Sequence, residues 1–386
     1  MILGIPKEIL EQEGRVAAVP DTVQQYVAMG FRVLVQTSAG EGALCSDDQF
    51  VSAGAEIVPD AVSLFHAADL VLKVKQPWVN QAAGFHEAEM IREGAVLISF
   101  LHPAAPCNHE MVQMLARRHV TSLTMDGVPR ISRAQPMDAL TSMSTISGYR
   151  AVLIAANKFP KFIPLIGTAI GTIRPAKVLV VGAGVVGLQA IATAKRLGGS
   201  VTVVDVRDDA RKAADSLGAK VAGFEVPAEL AVGENGRTRA LPEEWLEKER
   251  AALAPRVADA DIVVLSALVP GEVAPALVTE SMVAQMKPGS VVVDVSVDQG
   301  GNCAVTRPGE ETVCHGVTLL GFWNIPGTMP VHGSWLYAHN VLHFVKNLFK
   351  TGIGALDVDD EIVRSSLVTR GGEIVHQGTL KAIGIA

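Results

Sequence analysis

Residues 177–205 read KVLVVGAGVVGLQAIATAKRLGGSVTVVD, and they limit what this chain can fold into more than any other stretch. An apolar strand over residues 178–181 runs into Gly182, Gly184 and Gly187. A helical pattern follows, and a second apolar strand ends at Asp205. A glycine triplet alone is weak evidence. Strand, triplet, helix, strand and terminal acid in that order predict a βαβ unit that binds a dinucleotide. Gly182 allows a tight turn, Gly184 lets backbone approach a pyrophosphate, and Gly187 lets helix and strand pack closely. Free amides at the helix start then face the phosphates, aided by the helix dipole. Asp205 is placed to accept from a ribose diol and to repel a 2′-phosphate, which favours NAD(H) over NADP(H). The expected lining is Gly182, Ala183, Gly184, Val185, Gly187, Asp205 and Val206. A doubly wound unit that has lost its nucleotide is the competing reading, but it gives Asp205 no reason to end the strand.

The chain has 386 residues, enough for two domains with real cores. Aromatics make up only 5% of it against 49% hydrophobic residues, so those cores must be aliphatic and alanine-rich. A formal charge of −7 argues against nucleic acid as a partner. Cys45, Cys107, Cys303 and Cys314 show no paired metal spacing, and no metal site is expected. Their sparseness suits a reducing cytoplasm. Cys303, after a Gly-Gly-Asn turn, reads as a small packed thiol. No signal peptide is expected. The longest uncharged apolar stretch, residues 162–173, is too short to cross a bilayer.

Before the glycine fingerprint, strands are expected at residues 2–5, 32–36, 55–58, 69–74, 95–100 and 120–124. Helices such as 21–29 and 109–118 fall between them. The loop after the first of these strands, PKEILEQEGRVAAVP, has no phosphate-binding glycines and carries Arg15. A long helix over residues 142–158 leads into the second domain. Six strands are expected there, at 178–181, 201–204, 220–221, 262–266, 291–295 and 319–320. Residues 226–255 read as a surface insertion plus a helix over 243–252. Residues 334–350 form an amphipathic helix that returns the chain to the first domain. A hairpin turning at Gly371 and Gly372 closes the chain. The expected fold is α/β: two Rossmann-like doubly wound domains linked by long helices. The N-terminal one is discontinuous, residues 1–141 plus 325–386, and residues 142–324 form the nucleotide domain.

A second dense segment, PRISRAQPMDALTSMSTISGYRAV, spans residues 129–152. Two arginines, a glutamine and an aspartate within residues 130–138 suit a nicotinamide ring, with a carboxylate to fix an arginine. They equally suit an inter-domain loop held by an Arg–Asp pair. At this segment the chain resembles the NAD(H)-binding α1 component of proton-translocating NAD(P) transhydrogenase, in the superfamily that also holds alanine dehydrogenase. The resemblance extends over GVVGLQAIATAKRLG, LVPGEVAPALVTESMV, MKPGSVVVD, GGNC and LVTRGGEIVH, so it spans essentially the whole chain. It implies that Arg130, Gln135, Asp138 and Thr141 orient the dihydronicotinamide and face NADP(H) on another subunit. It gives the glycine turn and Asp205 the nucleotide, with Ala267, Leu268 and Asn324 on further lining loops, and it leaves Arg207, in the family's Asp-x-Arg pattern, to pair with Asp205, reach the adenosine or face solvent. Thr141 stands where the family usually has serine.

The sequence also departs from the transhydrogenase pattern. Arg15 in GRVAAVP, Lys75 in KVKQP, His102 in SFLHP, Asp298 in VDVSVDQGG and Asn324 in NIPG resemble the substrate site of alanine dehydrogenase. There the resemblance implies two cations for a carboxylate, a histidine for the proton and an assisting aspartate. That chemistry is sound, since oxidising an amine carbon needs a base near neutral pKa. The bland alternative pairs Arg15 and Lys75 with Glu8 or Glu13 on the same loops. Three functions are therefore weighed. The favoured one is an NAD(H)-binding hydride-transfer component. The second is a free-standing NAD-dependent amino-acid dehydrogenase, and the third is a non-catalytic NAD-binding regulator. The first implies separate NADP(H)-binding and membrane-spanning subunits. It also implies a cytoplasmic location peripheral to the inner membrane, with no insertion of its own, and a homodimer (a hexamer under the second).

Overall fold

The structure is a computed structural model that describes residues 1–233, 238–269 and 273–384. It divides into two compact units, residues 1–143 with 326–386, and residues 144–325. Residues 234–237, within the segment expected to be a surface insertion, lie outside the described residues.

The second unit is built on Lys177–Val181, Ser200–Val204, Lys220–Val221, Ile262–Leu265, Val291–Asp294 and Val317–Leu320, all parallel. Numbered along the chain they lie in the order 3-2-1-4-5-6, the doubly wound arrangement of dinucleotide-binding sheets. Their residues are apolar on both faces because both faces are covered. Val178, Val180, Ile262, Val264, Val291 and Val293 point into one core. Leu179, Val181, Val263, Leu265 and Val292 point into the other.

A seventh strand, Glu311–Cys314, pairs antiparallel with Val317–Leu320 at the sheet edge. It escaped the sequence reading because it is short and polar and only partly buried. The helix expected to stop at residue 252 runs from Glu243 to Asp259, through Pro255. Proline costs the helix a hydrogen bond. The fully buried Leu253 and Val257 on either side of it hold the helix to the sheet. The apolar stretch at 162–173 contains an antiparallel pair, Ile166–Thr168 with Gly171–Ile173, and Ile170 between them is exposed. No helix among the described residues is long and apolar enough to cross a membrane.

The first unit repeats the arrangement. Ile2–Ile5, Arg32–Gln36, Glu56–Val58, Leu70–Leu72, Val96–Ser99 and Thr121–Thr124 are parallel and again lie in the order 3-2-1-4-5-6. The C-terminal hairpin, Leu367–Arg370 with Glu373–Ile374, extends this sheet antiparallel to Thr121–Thr124. The helix Pro330–Leu348 returns to the first unit, burying Tyr337, Val341, Phe344 and Val345 there. Open sheets of this kind bind ligands where the strand order reverses, at the carboxyl ends of the two central strands. In this unit those ends are the loops after Ile2–Ile5 and Leu70–Leu72, which carry Arg15 and Lys75.

A buried ion triad sets the backbone at that point. The Lys73 ammonium lies 3.2 Å from Glu8 and 3.2 Å from Glu87, with all three side chains at most 2% exposed. Burial pushes both carboxyls upward. It would lower the lysine, but the two carboxylates outweigh it and the Lys73 pKa is raised. Glu8 also accepts from the Val74 amide at 2.6 Å, and the Tyr337 hydroxyl donates to the Lys73 carbonyl at 2.7 Å. Removing the cation strands two buried carboxylates. Lys73→Met should therefore cost about 3–5 kcal/mol in urea unfolding. A loss below about 1 kcal/mol would mean that the triad is not stabilised as a unit.

Candidate functional site

In the second unit the glycine turn follows Lys177–Val181. Gly182 has φ +89°, a conformation costly for a residue with a side chain. A Cβ on Gly187 would sit 1.9 Å from the Gly182 carbonyl oxygen, so only glycine lets the helix Val185–Arg196 lie this close. A Cβ on Gly184 would meet nothing within 4 Å, leaving the open face that a pyrophosphate requires. No side chain caps the start of this helix. The geometry therefore fits a dinucleotide.

Asp205, 7% exposed, is tied to that turn. One carboxylate oxygen accepts from the Ala183 amide at 2.6 Å and the other from the Arg207 amide at 2.8 Å. The Arg207 side chain lies 3.3 Å from both oxygens. The sequence placed Asp205 as a ready acceptor and Ala183 among the backbone lining. The structure commits the Ala183 amide to Asp205, which gives the acid the structural reason to end the strand that the sequence reading denied it, and a ribose diol would share that carboxylate with Arg207. Arg211 donates to the carbonyls of Asp205 and Val206, fixing the strand end.

Several residues that the sequence reading passed over hold the neighbouring loops. Ser266 donates to the Gly182 carbonyl at 3.0 Å. The Asn302 amide group accepts from the Ala267 N–H and donates to the Ala267 carbonyl, both at 2.9 Å. That fixes Ala267 and the chain leading to Leu268; Pro270, Gly271 and Glu272 of the LVPGEVAP segment lie outside the described residues. Asp294 accepts from the amides of Ser296, Asn302 and Cys303. Its burial pushes the carboxyl up to about 6 despite those bonds. Asp298 is exposed on the short 3-10 turn Val297–Gln299, and Asn324 is half-buried with φ +50°. Cys303 is a packed thiol, 5% exposed.

Glu249, on the helix Glu243–Asp259, is 5% exposed. Burial, reinforced by the Asp205 carboxylate, raises its pKa to about 7.

In the first unit, Arg15 is 2% exposed and its guanidinium closes on Glu13 in a fork, Nε to Oε1 at 2.7 Å and Nη2 to Oε2 at 2.5 Å. Its Nη1 points to the Met143 sulfur at 2.9 Å. Burial would raise the Glu13 carboxyl, but Arg15, with help from Lys75, holds it below its ordinary value. His102, at φ +43°, donates its amide to Asp126 at 2.7 Å, and its Nδ1 faces the same carboxylate oxygen at 3.1 Å. The imidazole stacks on Phe100 with centroids 5.9 Å apart and remains half-exposed.

The 130–138 segment is fixed at Arg133, Pro136 and Asp138. Arg133 donates to Asp360 at 2.7 Å and to Asn347 at 3.1 Å. Asn340 donates to the Pro136 carbonyl at 2.8 Å. Asp138 accepts from the Thr141 amide and hydroxyl at 2.8 and 2.7 Å, capping the helix Ala139–Lys158. Arg130 and Gln135 are exposed, and neither has a side-chain hydrogen bond among the described residues. The Arg–Asp pair expected inside this segment is thus replaced by Arg133–Asp360, a contact across 227 residues that sequence spacing does not reveal.

These features define a two-domain nucleotide-binding protein of the Rossmann type. The chain belongs to the alanine dehydrogenase/PNT family: the N-terminal domain model of that family matches residues 4–147 and the C-terminal one residues 151–377. It is 42% identical over 381 residues to an NAD(P) transhydrogenase subunit alpha chain of Rhodospirillum rubrum, covering 97% of this chain and 98% of that protein. A solved transhydrogenase from Sinorhizobium meliloti is 37% identical with a TM-score of 0.83, covering 98% and 99% of the two chains. A solved L-alanine dehydrogenase has the same TM-score, 0.83, at 30% identity, covering all of both chains. Fold alone therefore does not separate the two activities.

Two outcomes check this geometry. The native state keeps Glu249 protonated up to about pH 7, whereas an ordinary glutamate releases its proton near 4.5. The folded protein thus binds the extra proton, and stability falls as pH rises through that window, by roughly 3 kcal/mol. Glu249→Gln should remove that loss, and parallel stability–pH curves for the two proteins would contradict it. Asp360→Asn should release Arg133 and speed amide hydrogen exchange in residues 132–137, leaving the second unit unchanged. Unaltered exchange would show that Asn340 suffices to hold the segment.

Proposed function

We propose that this chain is the NAD(H)-binding component of a proton-translocating NAD(P) transhydrogenase, passing hydride between NADH and NADP+ held on a partner subunit. The observation that carries the reading is the 130–138 segment. Arg133 and Asp138 are spent on holding it, while Arg130 and Gln135 are left outward and uncommitted among the described residues. That is the arrangement expected where polar tips orient a ring and meet a second protein. The higher identity to transhydrogenase relatives supports it.

The bound dinucleotide supplies the hydride. Gly182, Gly184 and Gly187 admit its pyrophosphate. Asp205 accepts from the adenine ribose and disfavours a 2′-phosphate, which makes NAD(H) the ligand. Val185, Val206, Arg207, Ala267, Leu268 and Asn324 complete the lining. Arg130 and Gln135 orient the reacting end, on a segment that the Asp138–Thr141 cap holds in place. Hydride passing from ring to ring needs no acid or base, so the work of the chain is positioning, which supplies a large share of a barrier reduction. Lys75 and His102 are then dispensable. The protein works beside NADP(H)-binding and membrane-spanning subunits, as a homodimer at the cytoplasmic face of the membrane.

The second reading, an amino-acid dehydrogenase using Arg15, Lys75, His102 and Asp298, is favoured by the His102–Asp126 contact. Such a carboxylate orients an imidazole as a base. The closed Arg15–Glu13 fork opposes it, because a substrate carboxylate would have to displace Glu13 from a buried guanidinium. NADH incubated with the purified chain, ammonium and a series of 2-oxo acids should show no oxidation above the enzyme-free rate. Rapid oxidation that collapses in His102→Ala would overturn the transhydrogenase reading.

A further inference from the structure

The geometry points to a binding site for a zinc-class divalent cation at the edge of the second unit, formed by Glu280, Cys314 and His315. Cys314 ends the edge strand Glu311–Cys314, and its Cα partner across the hairpin is Val317. The two-residue turn between them is His315–Gly316, with φ +52° and +76°. Glu280 opens the helix Glu280–Val283, which begins at a Thr279 cap. One sulfur, one imidazole nitrogen and one carboxylate oxygen thereby lie within 4.8 Å of one another.

The distances suit a tetrahedral ion. Bond lengths of about 2.0–2.3 Å to nitrogen, oxygen and sulfur put ligand atoms about 3.3–3.7 Å apart on a tetrahedron. His315 Nε2 and Glu280 Oε1 are already 3.3 Å apart. Glu280 is 65% and His315 44% exposed at the side chain, so both can rotate to close on the sulfur. A cleft of about 510 Å³ lined by Glu280, Cys314, Thr306, Arg307 and Thr312 leaves space for water as a fourth ligand. Arg307, the cation on that wall, is turned to Glu310 at 3.7 Å.

The donor set selects the metal. Thiolate and imidazole disfavour Mg2+ and Ca2+, which take oxygen ligands, and favour Zn2+ or its analogues. A simple ion pair would account for His315 and Glu280, with Cys314 packed at the edge of the core; the convergence of all three donor atoms within 4.8 Å is what points to an ion. Three protein ligands with one open position match zinc sites that keep an exchangeable water. No regular cysteine spacing announced the cluster, because Glu280 lies 35 residues before His315. A bound ion would clip the helix Glu280–Val283 to the sheet edge and stabilise the folded state by linkage.

The test uses the full chain, stripped of metal by chelation and titrated with Co2+. One equivalent should produce a near-ultraviolet thiolate-to-cobalt charge-transfer band with visible absorption of tetrahedral intensity. Cys314→Ser should abolish the band, and His315→Asn should weaken binding by at least about tenfold. Asparagine is chosen because it tolerates the positive φ at that position. Cys107→Ser, at the exposed cysteine, should leave the band intact. Zn2+ should raise the melting temperature of the parent chain and not of Cys314→Ser. Absence of a thiolate band, its persistence in Cys314→Ser, or equal zinc stabilisation of both proteins would overturn the proposal.

Discussion

The second unit depends on how closely one helix can approach one turn. Only a hydrogen at residue 187 lets the helix Val185–Arg196 come within reach of the Gly182 carbonyl, where a Cβ would stand 1.9 Å from that oxygen. That approach sets the helix start beside the strand ends and leaves the face over Gly184 open. Asp205 then joins the end of Ser200–Val204 to the turn after Lys177–Val181 through the Ala183 amide. Ser266 and Asn302 extend the same tie to the next loop. The nucleotide cradle is therefore one hydrogen-bonded unit spread over three strand ends. Burial of Glu249, with the nearby Asp205 charge added, raises its pKa to about 7.

The first unit shares that strand order but uses its switch point differently. It has no glycine turn. Its loops carry buried charge that is largely compensated within the protein: Lys73 between Glu8 and Glu87, and Arg15 on Glu13. A cation meant to seize a substrate carboxylate gains most when its donors are free, and the Arg15 fork is closed. Of the residues that resemble a dehydrogenase site, Arg15 thus has a structural occupation, whereas Arg130 and Gln135 have no side-chain hydrogen bond among the described residues. The proposed transhydrogenase reading rests on this contrast, since the shared fold is compatible with both activities.

Much of this was legible in the sequence for a physical reason. Parallel strands covered on both faces must be apolar throughout, so runs such as VLVV and IVVL announce themselves. The glycine fingerprint is local and was readable with its acid. The edge strand Glu311–Cys314 was not, since a half-exposed strand carries no such run. Helix 243–259 outlasted Pro255 because burial of Leu253 and Val257 outweighed a local penalty. The Arg15–Glu13 pair is two residues apart and was foreseeable, whereas Arg133–Asp360 and Asn302–Ala267 join distant segments that only folding brings together.

Transfer of deuteride measures the central claim most directly. The purified chain, loaded with NADH deuterated at the transferable C4 position, is mixed with NADP+ in the presence or absence of an NADP(H)-binding transhydrogenase subunit. The label should appear in NADPH only when both proteins are present, and at a much lower rate with Gln135→Ala, while Lys75→Ala and His102→Ala transfer normally. Label transfer without the partner, or transfer that fails in His102→Ala but not in Gln135→Ala, would contradict the account.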